Sequence, residues 1–172
     1  MWRILIVMLG LVPLAAAHAQ SVTKEIIAYD GITVGFSEQA AKCNLTDSAV
    51  LKDYVAGKLD DLLIKENPNS IIHIVLSVSG TNLGLLNTQC ATHASLRFET
   101  RLRADNIVTA DPAVRQAVDK LGEFPIVLWS RGAFGVTPLP QPTEGGPSVK
   151  AYESIEEHID FILARFKEER GN

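Results

Sequence analysis

The stretch His93–Arg103, HASLRFETRLR, alternates apolar and polar side chains along its whole length. Ala94, Leu96, Phe98, Thr100 and Leu102 share one side of an extended chain, and His93, Ser95, Arg97, Glu99, Arg101 and Arg103 share the other. A period of two is typical of a β-strand, because successive side chains point to opposite faces. The pattern therefore predicts a sheet with one buried face and one hydrated face.

Three further stretches indicate partner strands. From Ile71 to Ser79 the positions Ile72, Ile74, Leu76 and Val78 form an apolar face, and His73, Val75, Ser77 and Ser79 lie opposite. The segment 124–136, FPIVLWSRGAFGV, predicts a third central strand, with Gly132 and Gly135 indicating a bulge or bend near its end. Residues 25–36 predict a strand or small hairpin with a turn signal at Asp30-Gly31.

Helical periodicity appears in three places. Thr46-Asp47-Ser48 is a cap sequence, and apolar residues at steps of four, four and three predict a helix over 48–65. Asp111-Pro112 predicts the start of a short helix that stops at Gly122. Residues 149–169 predict a long amphipathic helix, whose apolar stripe is Tyr152, Ile155, Ile159, Ile162 and Phe166. The expected fold is α+β in two layers: a mostly antiparallel sheet of about four strands with two main helices packed on one face.

The first nineteen residues have the plan of a secretory signal peptide. A single basic residue, Arg3, precedes an apolar run that is too short to cross a bilayer, and Ala17-His18-Ala19 is a typical cleavage site. We expect removal of residues 1–19, which leaves 20–172 as one α+β domain without a membrane span. The composition of the leader favours the periplasm, with secretion as the alternative.

The charge balance argues against one class of partner. The chain has 20 acidic residues against 16 Lys and Arg, and cleavage would remove Arg3. This balance argues against general nucleic-acid binding, which needs a clustered basic excess.

Residues 137–148, TPLPQPTEGGPS, predict an irregular Pro/Gly-rich loop that does not continue a sheet. No motif for a cofactor is present.

The segment Gln89–His93, QCATH, holds one of two cysteines and raises three interpretations. Cys90 and His93 point to opposite faces of a strand, so they do not form a metal-chelating pair. A thiol nucleophile would require a reduced cysteine, whereas exported chains meet oxidising conditions. We therefore predict a disulfide between Cys43 and Cys90, which lie at the ends of two elements, and no metal site.

A candidate binding surface lies on the hydrated face of the sheet. His93, Arg97 and Arg101 recur along one strand. If Ile126 and Leu128 are core positions, Val127, Trp129 and Arg131 lie beside them on the same face. A row of guanidinium groups next to an indole could hold an anion or an acidic patch of a partner. The alternative is a solvated face on which Glu99 neutralises neighbouring arginines.

The sequence does not contain a recognisable catalytic set, so the leading hypothesis is an exported binding protein. Its partner would be another envelope protein or component, engaged through the face with Arg and Trp. The first alternative is a hydrolase that uses His73 or His93 as base, with the 137–148 loop as lid. The second is a protein that binds a small anionic ligand. The open face or an edge strand could also support a homodimer.

Overall fold

The structure is a computed structural model, and it describes residues 22–83, 89–104, 107, 109–138 and 149–171. The predicted signal peptide lies outside these residues, and so does 139–148, the larger part of the predicted loop.

The main sheet has four strands, as expected. The described residues form six strands in all, namely β1 (Ala28–Tyr29), β2 (Gly31–Phe36), β3 (Lys65–Glu66), β4 (Ile72–Leu83), β5 (Gln89–Arg103) and β6 (Glu123–Pro138). The main sheet has the order β2-β4-β5-β6, and a separate parallel pair joins β1 to β3. The β4–β5 and β5–β6 pairs are antiparallel, whereas β2 runs parallel to β4. The sheet is thus mixed and mostly antiparallel.

The helices begin where the sequence predicts. A short 3-10 helix (Ala40–Cys43) precedes α1 (Ser48–Asp61), followed later by α2 (Pro112–Leu121) and α3 (Val149–Arg170). Asp47 and Asp111 cap α1 and α2, since each side chain accepts hydrogen bonds from two backbone N–H groups of the first turn. Helix α1 ends at Asp61, earlier than predicted, because Leu63 adopts a positive φ of 60° and the chain then enters β3.

Helices α1 and α3 pack together on one face of the sheet, as predicted. The buried apolar side chains include Leu51, Val55 and Leu59 of α1, Ile155, Ile159, Ile162 and Phe166 of α3, and Ile74, Leu76, Leu96 and Phe98 of the sheet. The Tyr152 hydroxyl on α3 accepts hydrogen bonds from the backbone N–H groups of Thr46 and Asp47, at 3.0 and 2.6 Å. This contact holds the start of α1 against α3.

Strand β6 differs from its prediction in three respects. It is an edge strand rather than a central one, and it continues through Pro138, so the first two residues of the predicted loop belong to it. Its irregularity lies at Leu128 rather than near Gly132 and Gly135. Phe98 is opposite Trp129 while the next residue, Glu99, is opposite Val127, so Leu128 is the extra residue of a β-bulge.

The disulfide between Cys43 and Cys90 is confirmed, with the two Cα atoms 6.0 Å apart and both side chains fully buried. It ties the 3-10 helix to the beginning of β5. Gly80 of β4 makes room for it, because a Cβ atom at that position would lie 2.9 Å from Cys43 Sγ. The bridge therefore depends on a glycine in the neighbouring strand.

Replacing both cysteines, Cys43→Ala with Cys90→Ala, should lower the free energy of unfolding by about 4 kcal/mol, since the bridge closes a 47-residue span in the unfolded chain. Urea denaturation measures the loss. Reductant should produce a similar loss in the unmodified protein and none in the double variant. Equal stability of the double variant and the oxidised protein would contradict this role.

Candidate functional site

The face of the sheet opposite α1 and α3, here called the outer face, carries polar side chains from three strands. The register arranges them in four rows across β4, β5 and β6. The rows are His73–Glu99–Val127, Val75–Arg97–Ser130, Ser77–Ser95–Gly132 and Ser79–His93–Phe134. Residues opposite each other in an antiparallel pair share a face. The register therefore places a histidine and an arginine of β5 near the middle of the outer face.

Three of the five predicted binding residues lie on this face, namely His93, Arg97 and Arg101. The placement of Trp129 and Arg131 beside them is wrong. They are opposite Phe98 and Leu96, both buried core residues, and so they lie on the helix side of the sheet. The bulge at Leu128 is the physical reason, because one extra residue reverses the side chain alternation in the rest of the strand.

Trp129 is a core residue with only 6% of its surface exposed. Its ring makes edge-on contacts with Phe98 and Phe166, at centroid distances of 5.6 and 5.0 Å. Its indole N–H donates a 2.7 Å hydrogen bond to Glu169 of α3, and Arg131 donates to the other oxygen of that carboxylate at 2.8 Å. Burial raises the pKa of Glu169, but hydrogen bonds from Arg131 and Trp129 outweigh it and lower the pKa. Both predicted binding residues therefore hold β6 to α3.

Arg97 stands between Val75 and Ser130 in the centre of the outer face. Its Nε atom is buried and has no hydrogen-bond partner, and the side chain makes no ion pair with another described residue. Leaving a buried donor unsatisfied costs about 1–3 kcal/mol, more for a charged group. Arg101, farther along β5, is 67% exposed and lies 3.9 Å from the Glu123 carboxylate. The guanidinium of Arg97 is thus the better candidate for binding an anion.

Sequence reasoning missed an apolar patch near the end of β6 on this face. Phe134 is 68% exposed, and Val136 is also exposed. Their register partners His93 and Ala91 lie on the outer face, so these two side chains belong to it as well. Val127, which the sequence had placed on this face, lies opposite Glu99, three rows away. The alternation of small and large residues in Gly132–Val136 could have indicated this placement, had the bulge been known.

An open depression of about 320 Å³ adjoins His93 where β2 ends. Its polar lining residues are Ser37, Ser77, Ser79 and His93. The His93 ring lies over Gly132 of β6, where an added Cβ atom would be 2.8 Å from His93 Nε2. The depression is thus bordered by three serines and by one histidine that packs against a glycine.

His73, the other histidine of the outer face, has partners on both ring nitrogens. Nδ1 lies 2.7 Å from a carboxylate oxygen of Asp30, and Nε2 lies 2.8 Å from the hydroxyl of Thr33. The order of carboxylate, imidazole and hydroxyl matches the bonding pattern of a nucleophilic triad. The same bonds also fasten β2 to β4, which is sufficient to explain them structurally.

A second polar cluster lies on the helix side of the sheet. The Thr92 hydroxyl is 3.0 Å from the Ser154 hydroxyl and 3.1 Å from His158 Nε2. The His158 ring lies against Gly135, where a Cβ atom would approach its Cε1 to 2.7 Å. Burial lowers the pKa of His158, although its hydrogen bond to Thr92 and the charge of Glu157 oppose the shift. We interpret this cluster as an internal contact between β5, β6 and α3.

Other classes of site are not indicated by the residues that the structure describes. Among them, no three or more His, Cys, Asp or Glu side chains are grouped as metal ligands would be. No helix in the described ranges is long and apolar enough to cross a bilayer.

Truncation of neighbouring β6 residues should reveal the bulge. Trp129→Ala should cost about 3–5 kcal/mol of unfolding free energy because it removes a buried aromatic ring, whereas Val127→Ala should stay within about 0.5 kcal/mol. Chemical denaturation of both variants measures the difference. If alternation were unbroken from Val127 to Trp129, the two residues would share one face and the contrast would disappear.

Acidification should destabilise the protein in two separate ranges. The unfolded chain protonates its histidines near 6.5 and the folded chain protonates His158 only at lower pH, so the free energy of unfolding should fall as pH drops below 6.5. Glu169, whose folded pKa is lowered, should add a loss only below 4.5. Urea unfolding across this range measures both. His158→Gln should reduce the fall in unfolding free energy below pH 6.5 and keep the further loss below pH 4.5. An unchanged fall below pH 6.5 would contradict the assignment to His158.

Comparisons with known proteins leave the chain without a family. No protein-family model matches it, and no curated protein sequence is significantly similar. Among solved structures, a dodecamer of a PelC variant from Paraburkholderia phytofirmans matches with a TM-score of 0.38 and 11% sequence identity. That match covers 80% of this chain and 86% of the PelC chain. At this TM-score the likeness is too distant to assign either a fold family or a function.

Proposed function

We propose that the chain is an exported binding protein whose outer face engages an acidic segment of another envelope protein. The observation that carries this proposal is the guanidinium of Arg97, which lies in the centre of the face with a buried, unpartnered Nε. A carboxylate of the partner would supply the counter-ion that no described residue gives to this guanidinium. Hydrogen bonds between charged groups are about twice as strong as neutral ones, and arginine can form two to one carboxylate.

Charge distribution supports an acidic partner. The protein is acidic overall, with a net charge of −4, yet Arg97 and Arg101 follow each other on the outer side of β5. Glu99 stands between them in sequence and shares their face, so it partly offsets the local positive charge. A partner carboxylate placed at Arg97 would give this guanidinium the counter-ion that no described residue supplies. Such charge complementarity favours orientation and specific association.

The apolar patch of β6 supplies the second component of a binding surface. Phe134 and Val136 would lose contact with water on docking, and each apolar side chain that becomes fully buried contributes about 1.5–3 kcal/mol. Protein interfaces commonly combine a few buried aromatic or arginine anchors with a polar rim. Phe134 lies opposite His93, and Arg97 lies two rows away on the same face. An aromatic residue and an arginine on one face fit that composition.

Two further observations favour export as part of this proposal. The leader sequence has the plan of a signal peptide. The buried Cys43–Cys90 disulfide is of the kind that forms in oxidising compartments such as the periplasm. The periplasm is accordingly the proposed location, with secretion as the alternative.

A hydrolase is the second candidate, favoured by the bonding order Asp30–His73–Thr33. It ranks below binding because both hydrogen bonds lie at the exposed surface, where water competes for the histidine. The other proposed base, His93, adjoins an open depression rather than an enclosed pocket.

Site-specific photocrosslinking in the cells that encode the protein tests the binding function. A photoreactive phenylalanine at Phe134 should yield a discrete crosslinked adduct. The same residue at Phe161, which is 53% exposed on α3, is the matched control and should yield none. Charge reversal, Arg97→Glu with Arg101→Glu, should abolish the Phe134 adduct because it repels an acidic partner.

Thermal unfolding of the charge-reversal variant verifies that the fold is retained. Adducts of equal intensity from both positions, or an adduct that survives charge reversal in the folded variant, would refute the proposed surface.

A further inference from the structure

The depression beside His93 is a distinct feature of the outer face, at the end of β2 and away from Arg101. We infer that it binds a single oxyanion group, a carboxylate or a phosphate. This inference rests on the proposed function, since it names the chemistry recognised at one point of the same face.

Four residues with hydrogen-bonding side chains line the depression, namely Ser37, Ser77, Ser79 and His93. None of them makes a side-chain hydrogen bond to another described residue. Ser79 lies directly opposite His93 in the β4–β5 register, and Ser77 lies two residues away on the same face. Hydrogen-bonding side chains of two neighbouring strands therefore border the same depression.

The charge of the surroundings selects an anion rather than a cation. The residues that line the depression carry no carboxylate. Arg97 follows His93 by four residues on the same face of β5, and its guanidinium has no ion-pair partner among the described residues. A cation would find no counter-charge in the lining. An oxyanion would accept hydrogen bonds from the hydroxyls and lie within the field of Arg97.

The size of the depression limits what it can hold. A volume of about 320 Å³ is at the lower end of the range of small-molecule sites, which is about 300–1,000 Å³. It suits one functional group with a short attached stem, such as the end of an acidic side chain, better than a cofactor.

Gly35 forms part of the lining and gives a way to block the site. A Cβ atom added at Gly35 would meet no heavy atom within 4 Å, and its φ is not in the left-handed region. A leucine there should project into the depression without disturbing the backbone. Gly57 of α1 has equally open surroundings, so Gly57→Leu is a matched control that leaves the depression unchanged.

The test is a titration of the isotope-labelled full chain with inorganic phosphate and, separately, with acetate, followed by NMR. Amide signals of Ser77, Ser79 and His93 should shift and saturate with at least one of the two anions. Gly35→Leu should weaken that affinity by about tenfold or more, which corresponds to about 1.4 kcal/mol. Gly57→Leu should leave it unchanged. Ser79→Ala, which removes one hydroxyl and little volume, should weaken it less than Gly35→Leu.

The two anions distinguish the sources of the group. Saturation by acetate supports a partner carboxylate, and saturation by phosphate alone supports a phosphorylated or lipid headgroup ligand. Shifts that stay linear with both anions, or that persist in folded Gly35→Leu, overturn the inference. Because the crosslinking at Phe134 is measured independently, a negative titration with a retained adduct refutes the oxyanion site and leaves the proposed partner surface standing.

Discussion

The contact of Trp129 with Phe98 and Phe166 links the two layers of the molecule. Phe98 belongs to the middle of the sheet and Phe166 to α3, and their rings stack with centroids 4.7 Å apart. Trp129 closes this cluster from the edge strand and also reaches Glu169 through its indole N–H. Pairs of aromatic rings contribute about 0.5–1.5 kcal/mol each beyond their buried area. The position of β6, and with it the composition of the outer face, depends on this cluster.

Much of the fold follows from patterns that are local in sequence. The alternation in β4 and β5 has one consistent solution, because only one side of each strand is apolar, and the helical stripe from Tyr152 to Phe166 is equally unambiguous. Strand β6 is different. Its segment Ile126–Trp129 is apolar at every position, so a period of two cannot say which residues are buried. Packing against Phe98 and Phe166 decides that question, and those contacts are between elements distant in sequence.

The residues of the candidate site likewise differ in whether a local sequence pattern predicts them. His93, Arg97 and Arg101 could be predicted because they follow one strand with a clear alternation. The partners of His73 depend on the parallel register of β2 with β4, which no local pattern specifies. Ser37 joins the depression only because β2 ends next to β4 there. Phe134 was hidden by the wrong phase of β6. Residues brought together by strand pairing therefore form the part of the site that requires a structure.

The bulge at Leu128 has a consequence for how this chain can vary. On either side of it the odd-numbered and even-numbered residues of β6 exchange their roles, so Val127 and Phe134 share the outer face although one number is odd and the other even. Substitutions change one side chain at a time and leave this parity intact. Deletion of Leu128 would restore a regular ladder, with Val127 opposite Glu99 and Trp129 opposite Phe98, so both faces would keep their residues. Deletion of one residue between Trp129 and Phe134 would instead turn over the strand beyond that point and carry Phe134 to the helix side. The identity of the exposed surface is thus encoded in a count of residues, and the length of this segment constrains it more tightly than its composition does.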